Sequence, residues 1–240
     1  MKFKLVTLIA FFMLVSCKRS TSVITHSMPK VVKVDTLKEK RGIAPIHDKL
    51  KLDLEQINDS TFINISHIDS TFIYDLKYAT SDNFLKEKVY GCDQCVLRYA
   101  TIKQLLKANN EFKKLGYYIK FFDCYRPLSI QEKMWKIYPD KRYVADPKKG
   151  SNHNRGTAVD ITLIDSLGND LDMGTEFDFF GNKAHHAYPY LPKKVLENRQ
   201  LLKSVMEAHG FWSITSEWWH YNLNASYRYE VSNFTTTCDD

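Results

Sequence analysis

The chain has 240 residues, of which 44% are hydrophobic and 13% aromatic. This content is typical of one globular domain with a substantial core plus some sequence outside it, and it excludes a disordered chain. The formal net charge of +6 is a mild excess, and the basic runs at 40–42 and 148–150 are too short for a nucleic-acid surface, so we expect no nucleic-acid partner.

The N-terminus has the pattern of an export signal. Two lysines precede an apolar run from Leu5 to Val15, which is far shorter than the roughly 20 residues that span a bilayer. The sequence LVSC that ends at Cys17 resembles a bacterial lipobox, in which cleavage occurs before the cysteine and the cysteine is lipid-modified. The alternative is an ordinary signal peptide followed by a chance cysteine. We predict a lipoprotein signal peptide at 1–16 and a lipid anchor at Cys17, on an extracytoplasmic protein that faces the periplasm.

The lipidated cysteine and a flexible tether occupy residues 17–46 of this prediction. Residues 18–46 are rich in Ser, Thr and Lys and show no sustained periodicity. As a flexible coil this segment reaches about 30 Å, which lifts a domain clear of a lipid surface. The predicted domain then spans 47–230, and 231–240 form a C-terminal tail.

Four further cysteines follow, Cys92, Cys95, Cys124 and Cys238. The CDQC stretch at 92–95 has the spacing of a redox pair or of half a zinc ribbon. No second CxxC completes a ribbon, and the stretch does not open a helix after a strand as a thioredoxin-like motif does. In an oxidising compartment we therefore expect a local Cys92–Cys95 disulfide.

The elements of the domain are predicted from hydrophobic periodicity and from glycine and proline stops. In chain order they are a helix at 97–115, a strand at 117–123, a short helix at 129–138, a strand at 157–163, a helix at 192–208 and a strand pair at 211–213 and 218–223. Helices and strands are mixed, and hairpin-like strands come late. We predict an α+β fold with a small central antiparallel sheet flanked by helices, and we see no internal repeat or second domain.

Two polar stretches stand out. SNHNRGTAVD at 151–160 sets a histidine and an aspartate seven residues apart around a glycine, although taken alone it is equally a turn with a capping aspartate. Alternation along 157–163 places Asp160 on the less apolar face of its strand. EWWH at 217–220, taken alone, favours a Trp-rich core strand with a surface glutamate.

Combined, these stretches offer a metal-ligand set. His153, Asp160 and His220 supply two nitrogens and one carboxylate oxygen, which suits zinc with one position left for water. Glu217 is then a carboxylate outside the set, and Arg126 follows a buried strand, where a charge is costly unless a cleft needs it. Zinc lowers the pKa of water to about 7, the spare carboxylate carries the proton to the leaving amine, and the cation stabilises the oxyanion. We predict a zinc site in a cleft that performs metal-assisted hydrolysis.

These motifs resemble those of a known family. SNHNRGTAVD is similar to the SxHxxGxAxD signature, and EWWH to the ExWH signature, of the zinc D,D-peptidases of peptidase family M15, which include the VanX-type D-alanyl-D-alanine dipeptidases. Further segments resemble the dipeptidase branch in order and spacing: DLKYATSDNF (75–84), FFDCYRP (121–127), DMGTEFDFF (172–180), AHH (184–186), NRQLLKSVMEAHGF (198–211) and EWWHY (217–221). The resemblance covers roughly residues 68–222, nearly the whole predicted domain.

The resemblance implies roles for eight residues, position by position. They are His153, Asp160 and His220 as ligands of one Zn²⁺ per chain, Glu217 as general base and acid, Arg126 as the arginine that stabilises the transition state, and Ser151, Tyr78 and Asp178 as substrate-binding residues. Tyr78 and Asp178 match positions around the free amino group of the dipeptide, an ammonium that an endopeptidase never meets. Taken alone, Tyr78 is equally a core tyrosine and Asp178 a turn residue.

The implied activity is zinc-dependent hydrolysis of D-Ala-D-Ala to free D-alanine. An exported enzyme does not meet the cytoplasmic pool of D-Ala-D-Ala, so the predicted leader favours turnover of wall-derived dipeptides over antibiotic resistance. We expect contact with the membrane through the lipid anchor only, and no obligate protein partner. Two alternatives remain, a D,D-carboxypeptidase that acts on peptidoglycan peptides and a non-catalytic, zinc-containing binding module. The segments around Tyr78 and Asp178 favour the dipeptidase, and Glu217 with Arg126 argues against a structural zinc.

Overall fold

The computed structural model describes residues 54, 56–235 and 238 of the chain. The predicted signal peptide at 1–16, the anchor Cys17 and the tether at 18–46 lie outside the described residues. All the described residues belong to one unit, Pro45–Asp240. In this described portion, no helix combines the length and apolar character needed to cross a membrane.

The described residues form three complete α-helices and seven strands. They are β1 (Phe62–Asn64), β2 (Ile73–Tyr74), β3 (Val96–Arg98), α1 (Tyr99–Lys114), β4 (Tyr117–Asp123), α2 (Leu128–Ile137), β5 (Ala158–Asp165), α3 (Lys193–Ala208), β6 (Phe211–Ser213) and β7 (His220–Leu223). The predicted α+β class is confirmed. The ranges of β4 and β6 agree with the sequence, and the other predicted elements agree to within a few residues.

A five-stranded sheet forms the centre of the fold, in the order β2-β4-β5-β7-β6. Its neighbours pair antiparallel, as predicted, except at the edge where β2 runs parallel to β4. A separate antiparallel pair joins β1 to β3. The sequence did not predict β1, β2 or β3, because strands of two or three residues are too short to show a period. The equally short β6 was predicted because it follows the helix stop at Gly210.

Helix α1 buries a narrow apolar stripe against the sheet. Ile102, Leu105, Ala108 and Phe112 recur at helical spacing, and each is fully buried. The helix packs on β4 and on α3. Leu115 lies beyond the last turn and is 52% exposed, so the stripe ends three residues earlier than the periodicity predicted.

Strand β5 lies in the middle of the sheet and is buried on both faces. Val159, Ile161 and Leu163 contribute to the main hydrophobic core. On the opposite face, Asp160 is only 4% exposed and Thr162 only 2%. The alternation predicted for this strand therefore separates an apolar face from a polar one, and both faces are covered.

Two disulfides join distant parts of the domain, Cys92–Cys238 and Cys95–Cys124. The predicted local Cys92–Cys95 bond is wrong. Strand β3 begins directly after Cys95 and lies beside the end of β4. There the amide of Tyr125, the residue after Cys124, donates to the carbonyl oxygen of Val96 at 3.0 Å. This pairing brings Cys95 against Cys124, with a Cα–Cα distance of 5.4 Å.

The described residues after 230 contact the domain. The amide of Leu128 donates to the carbonyl oxygen of Ser232 at 3.1 Å. The ring of Phe234 stacks on that of Phe62, with ring centroids 5.1 Å apart. Together with the disulfide at Cys238, these contacts tie the C-terminal segment to the surface beside α2 and β1.

Candidate metal centre and cleft

Strand pairing aligns three of the relevant positions in one row across the sheet. Asp123, at the end of β4, pairs with Asp160 in β5, and Asp160 pairs with His220, the first residue of β7. Because directly paired residues on neighbouring strands point to the same face, these side chains gather at one end of the sheet. Residues 37 to 97 positions apart in the chain therefore meet at one site.

His153 reaches this row from the turn that precedes β5. A short 3-10 helix, His153–Arg155, ends at Gly156, whose φ of 70° is left-handed. A Cβ at Gly156 would lie 2.5 Å from the ring of Phe62 and 3.2 Å from the backbone nitrogen of Arg98. Only glycine fits both this φ and this close approach, so Gly156 is what turns the chain from His153 into β5.

Three side-chain atoms, which we call the donor cluster, converge at this point: His153 Nε2, Asp160 Oδ1 and His220 Nδ1. The two nitrogens are 3.1 Å apart, and Asp160 Oδ1 lies 2.9 Å from His220 Nδ1 and 3.4 Å from His153 Nε2. Tetrahedral zinc with bonds of about 2.0–2.1 Å needs ligand atoms about 3.3 Å apart. The donor cluster therefore has nearly the spacing that zinc requires.

Hydrogen bonds on the far side of each ring fix which nitrogens face the cluster. His153 Nδ1 donates to the carbonyl oxygen of Cys124 at 2.7 Å, and His220 Nε2 donates to Asn222 Oδ1 at 2.9 Å. When the rings are neutral, each has its lone pair on the nitrogen that belongs to the cluster. Three acceptor atoms then face one another in a buried place, an arrangement that a cation stabilises.

The electrostatics of the cluster agree with its geometry. Burial raises the pKa of the Asp160 carboxyl, but His153 and His220 outweigh burial and lower that pKa well below its usual range. Burial lowers the pKa of His220, yet the hydrogen bond and charge of Asp160 raise it to about 9. The site thus favours positive charge, and two imidazoles with one carboxylate are a donor set that fits zinc.

Arg126 is a buried cation beside the cluster. Its guanidinium donates to Asp123 Oδ2 and, at 3.0 Å, to Gln131 Oε1, and it lies 5.1 Å from the centre of the Tyr78 ring. Burial lowers the pKa of Arg126, but the charge of Asp123 outweighs burial and raises it well above its ordinary value. Arg126 is therefore held charged, and its Nε has no hydrogen-bond partner in the described part of the chain.

Glu217 lies in the segment that leads into β7 and lines the same cleft as the donor cluster. Burial, together with the charge of Asp160, raises the pKa of Glu217, and the opposing effects of His220, His153 and Arg126 do not cancel that rise. A carboxyl with a raised pKa binds and releases a proton closer to neutral pH.

Asp178 is a second carboxyl in the cleft, held at a left-handed φ of 57°. The hydroxyl of Tyr78 donates to Asp178 Oδ2 at 2.8 Å, and Tyr78 is only 2% exposed. Burial, with the charges of Asp160 and Glu217, raises the pKa of Asp178 well above its ordinary value. Asp178 forms no ion pair with any described residue, so the cleft contains a carboxyl that lacks a cation.

Ser151 lies at the edge of the cleft, next to the turn that carries His153. Its backbone amide donates to Asn154 Oδ1 at 2.7 Å. Asn154 is fully buried, and its side-chain amide donates to the carbonyl oxygen of Arg126 at 2.8 Å. Asn154 therefore joins the two segments that present Ser151 and Arg126.

The structure brings all eight sequence-predicted site residues into one cleft of about 680 Å³. The cleft is within the usual size range of small-molecule sites. Its lining includes Tyr78, Arg126, Ser151, His153, Asp160, Asp178, Glu217 and His220. The predicted anchor, Cys17, lies outside the described residues.

Asp123 is a candidate site residue that the sequence reasoning missed. It is fully buried, and its carboxylate accepts hydrogen bonds from Tyr90 Oη at 2.6 Å and from Arg126. Its Oδ2 also lies 3.6 Å from His153 Nδ1. The signal was present in FFDCYRP, where an acid at the end of a buried strand precedes an arginine by three residues.

A family model and the sequence relatives agree on a single family. The family model described as D-ala-D-ala dipeptidase, Peptidase M15, matches residues 58–237. The D-alanyl-D-alanine dipeptidase of Escherichia coli K12 is 37% identical over 176 residues, which cover 73% of this chain and 91% of that protein. The D-alanyl-D-alanine dipeptidase of Enterococcus faecium is 34% identical over 174 residues, covering 62% and 85%. Among solved structures, a mutant of the vancomycin-resistance D,D-pentapeptidase VanY in complex with Zn(II) is similar with a TM-score of 0.38 and 17% identity, covering 57% of this chain and 79% of that one.

Proposed function

The chain belongs to the D-alanyl-D-alanine dipeptidase family of peptidase M15, and from this premise we propose that it is a zinc-dependent D,D-dipeptidase that hydrolyses D-Ala-D-Ala to free D-alanine. One observation carries the proposal. Three metal-type donor atoms lie within 3.4 Å of one another in a cleft that also contains a spare carboxyl and a buried cation.

Each member of this constellation has a role in hydrolysis. His153, Asp160 and His220 hold the ion, and zinc bound there supplies a Lewis acid that acidifies water and polarises the peptide carbonyl. Glu217 takes the proton from the attacking water and returns it to the leaving amine, a task that suits its raised pKa. Arg126 stabilises the negative charge that develops on the carbonyl oxygen.

The substrate's free amino group is the natural partner of Asp178. A buried carboxylate without a cation is costly, and the ammonium of a dipeptide supplies the missing charge. Tyr78 holds Asp178 in place through its hydroxyl, at 2.8 Å. Ser151, at the cleft edge, completes the proposed contacts with substrate. These residues favour a dipeptidase, because an N-acylated peptide has no ammonium to offer.

The decisive assay measures free alanine of either configuration that is released by the full chain, solubilised and loaded with zinc. D-Ala-D-Ala is compared with L-Ala-L-Ala and with N-acetyl-D-Ala-D-Ala. We expect turnover of the free D,D-dipeptide alone. Equal turnover of the acetylated substrate would assign the chain to D,D-carboxypeptidases, and zinc binding without any turnover would leave a binding module.

We also propose that the protein is an exported lipoprotein, anchored at Cys17 and acting on dipeptides released from the cell wall. The support is the leader sequence that ends in LVSC. Mass spectrometry of the membrane fraction is expected to find a lipid-modified N-terminal Cys17, and a Cys17→Ala variant is expected to lose that modification. A cytoplasmic protein with Cys17 unmodified would contradict this proposal.

A further inference from the structure

The carbonyl oxygen of Cys124 is the acceptor that fixes the ring of His153. The distance from His153 Nδ1 to this oxygen is 2.7 Å, and both residues are buried, at 4% exposure for His153 and 2% for Cys124. This hydrogen bond leaves Nε2 as the ring's lone pair toward the donor cluster. Moving the carbonyl therefore turns the ring or changes its tautomer, and either change removes a lone pair from the cluster.

The ladder of the central sheet ends before Cys124, and the peptide unit that contains the Cys124 carbonyl is held through the amide of Tyr125, which donates to the carbonyl oxygen of Val96 at 3.0 Å. The ladder between β4 and β5 shifts register just before its last pair, Asp123 with Asp160, and Cys124 lies one residue beyond that pair. The side chain of Cys124 adds a covalent restraint, the disulfide with Cys95, which directly precedes Val96 and is 1% exposed. The carbonyl oxygen of Cys95 accepts the amide of Ile65 at 3.0 Å. The covalent bond thus ties the end of β4 to a segment that is itself hydrogen-bonded into the fold.

We propose that the Cys95–Cys124 disulfide positions the metal centre, because it holds the Cys124 carbonyl oxygen where that oxygen orients His153. This inference rests on the proposed zinc site and goes further, since it gives a bond outside the ligand set a role in metal affinity. Hydrogen-bond partners of metal-ligating histidines typically contribute about 10- to 100-fold to metal affinity or activity.

The second disulfide, Cys92–Cys238, is a matched control. Its cysteines are 146 residues apart in sequence, against 29 for Cys95–Cys124, and neither lines the cleft. The stabilisation by a disulfide grows with the length of the loop that it closes. If both bonds acted through stability alone, removal of Cys92–Cys238 would harm the protein at least as much.

The experiment uses the full chain in detergent and three double variants. Cys95→Ala/Cys124→Ala removes the proposed positioning bond, Cys95→Ala/Cys124→Val removes it while restoring buried volume, and Cys92→Ala/Cys238→Ala is the control. Zinc affinity is measured by competition with a chromophoric chelator, and kcat and KM are measured on D-Ala-D-Ala. In cobalt-substituted protein, the paramagnetically shifted proton on His153 Nδ1 reports the hydrogen bond to Cys124 through its exchange with solvent.

The first two variants are expected to bind zinc about 10- to 100-fold more weakly, with a lower kcat, an unchanged KM and faster exchange of the His153 proton. The control is expected to match the wild type in all four measurements. Wild-type zinc affinity and proton exchange in a folded Cys95→Ala/Cys124→Val protein would overturn the inference and leave the proposed function intact. A wild-type chain that binds no zinc would instead overturn the proposed function.

If both variants fail to fold, a measurement on the wild type tests whether the Cys95–Cys124 disulfide supports zinc binding. The zinc-loaded protein is reduced in steps, free thiols are alkylated, and the modified cysteines are located by mass spectrometry. Zinc release is expected to follow alkylation of Cys95 and Cys124 rather than that of Cys92 and Cys238. Zinc retained by protein that is alkylated at Cys95 and Cys124 would contradict the inference.

Discussion

Replacing Asp123 by asparagine tests how the end of β4 supports Arg126, the proposed catalytic cation. Asp123 Oδ1 accepts Tyr90 Oη at 2.6 Å and the amide of Cys124 at 2.9 Å, while Oδ2 accepts the guanidinium of Arg126. Asparagine offers one oxygen in place of two. If that oxygen still accepts from Tyr90 and Cys124, the new NH₂ group faces the guanidinium of Arg126. Both groups are hydrogen-bond donors, so no hydrogen bond forms between them.

The expected cost follows from burial. Asp123 is 0% exposed and Arg126 is 7% exposed, so Asp123→Asn leaves a buried cation without its counter-charge. Breaking such a pair costs about 3–5 kcal/mol in the free energy of unfolding. Because Gln131 Oε1 still accepts from Arg126 at 3.0 Å, we expect the lower end of this range, about 3 kcal/mol. A displaced guanidinium is also expected to lower kcat about 10- to 100-fold.

Urea unfolding of zinc-loaded protein measures the change in the free energy of unfolding, and D-alanine release from D-Ala-D-Ala measures the change in kcat. Glu197→Gln is the matched control, because it also removes one carboxylate charge. Glu197 Oε1 lies 3.7 Å from Lys193 Nζ on the exposed surface of α3. An exposed pair of this kind contributes less than about 0.5 kcal/mol. If Asp123→Asn lowers the free energy of unfolding no more than the control does, and its kcat is normal, the argument is refuted.

The remaining predictions concern the cleft. Glu217→Ala is expected to keep zinc and lose about 10²- to 10⁴-fold in kcat, whereas His153→Ala is expected to lose bound zinc and activity together. Measuring the zinc content beside kcat separates the two outcomes. A near-normal kcat in Glu217→Ala would contradict the mechanism. Arg126→Lys is expected to lower kcat about 10²-fold despite its retained charge, because an ammonium lacks the planar fork; wild-type kcat would contradict this. Tyr78→Phe leaves Asp178 without its hydroxyl donor, so kcat/KM for D-Ala-D-Ala is expected to fall about 10-fold, and an unchanged value would remove Tyr78 from the site.

Local pattern was enough to predict the elements that carry the site. The apolar run at 117–123 predicted β4, and alternation at 157–163 predicted β5 with Asp160 on its polar face. These signals are local, since the period of a strand and the stop after a helix depend on adjacent residues. The chemistry of the side chains was enough to group the three metal-type donors with Glu217 and Arg126. Adding Ser151, Tyr78 and Asp178 to that site needed the family resemblance, because no local pattern tells which distant segments meet.

The features that sequence reasoning missed depend on long-range pairing. Cys95 joins Cys124 rather than Cys92 because β3 lies beside the end of β4. The role of Asp123 appears only once β4, β5 and β7 are placed side by side, which aligns it with Asp160 and His220. Spacing in the chain does not reveal such contacts.

We propose that hydrolysis of D-Ala-D-Ala depends on one zinc ion at the donor cluster. The most direct test titrates zinc into the metal-free full chain and follows the release of D-alanine. We expect no release of D-alanine without metal, and then a linear rise in the rate of release that saturates at one zinc per chain. D-alanine release by the metal-free chain, or none after one zinc has bound, would contradict this proposal.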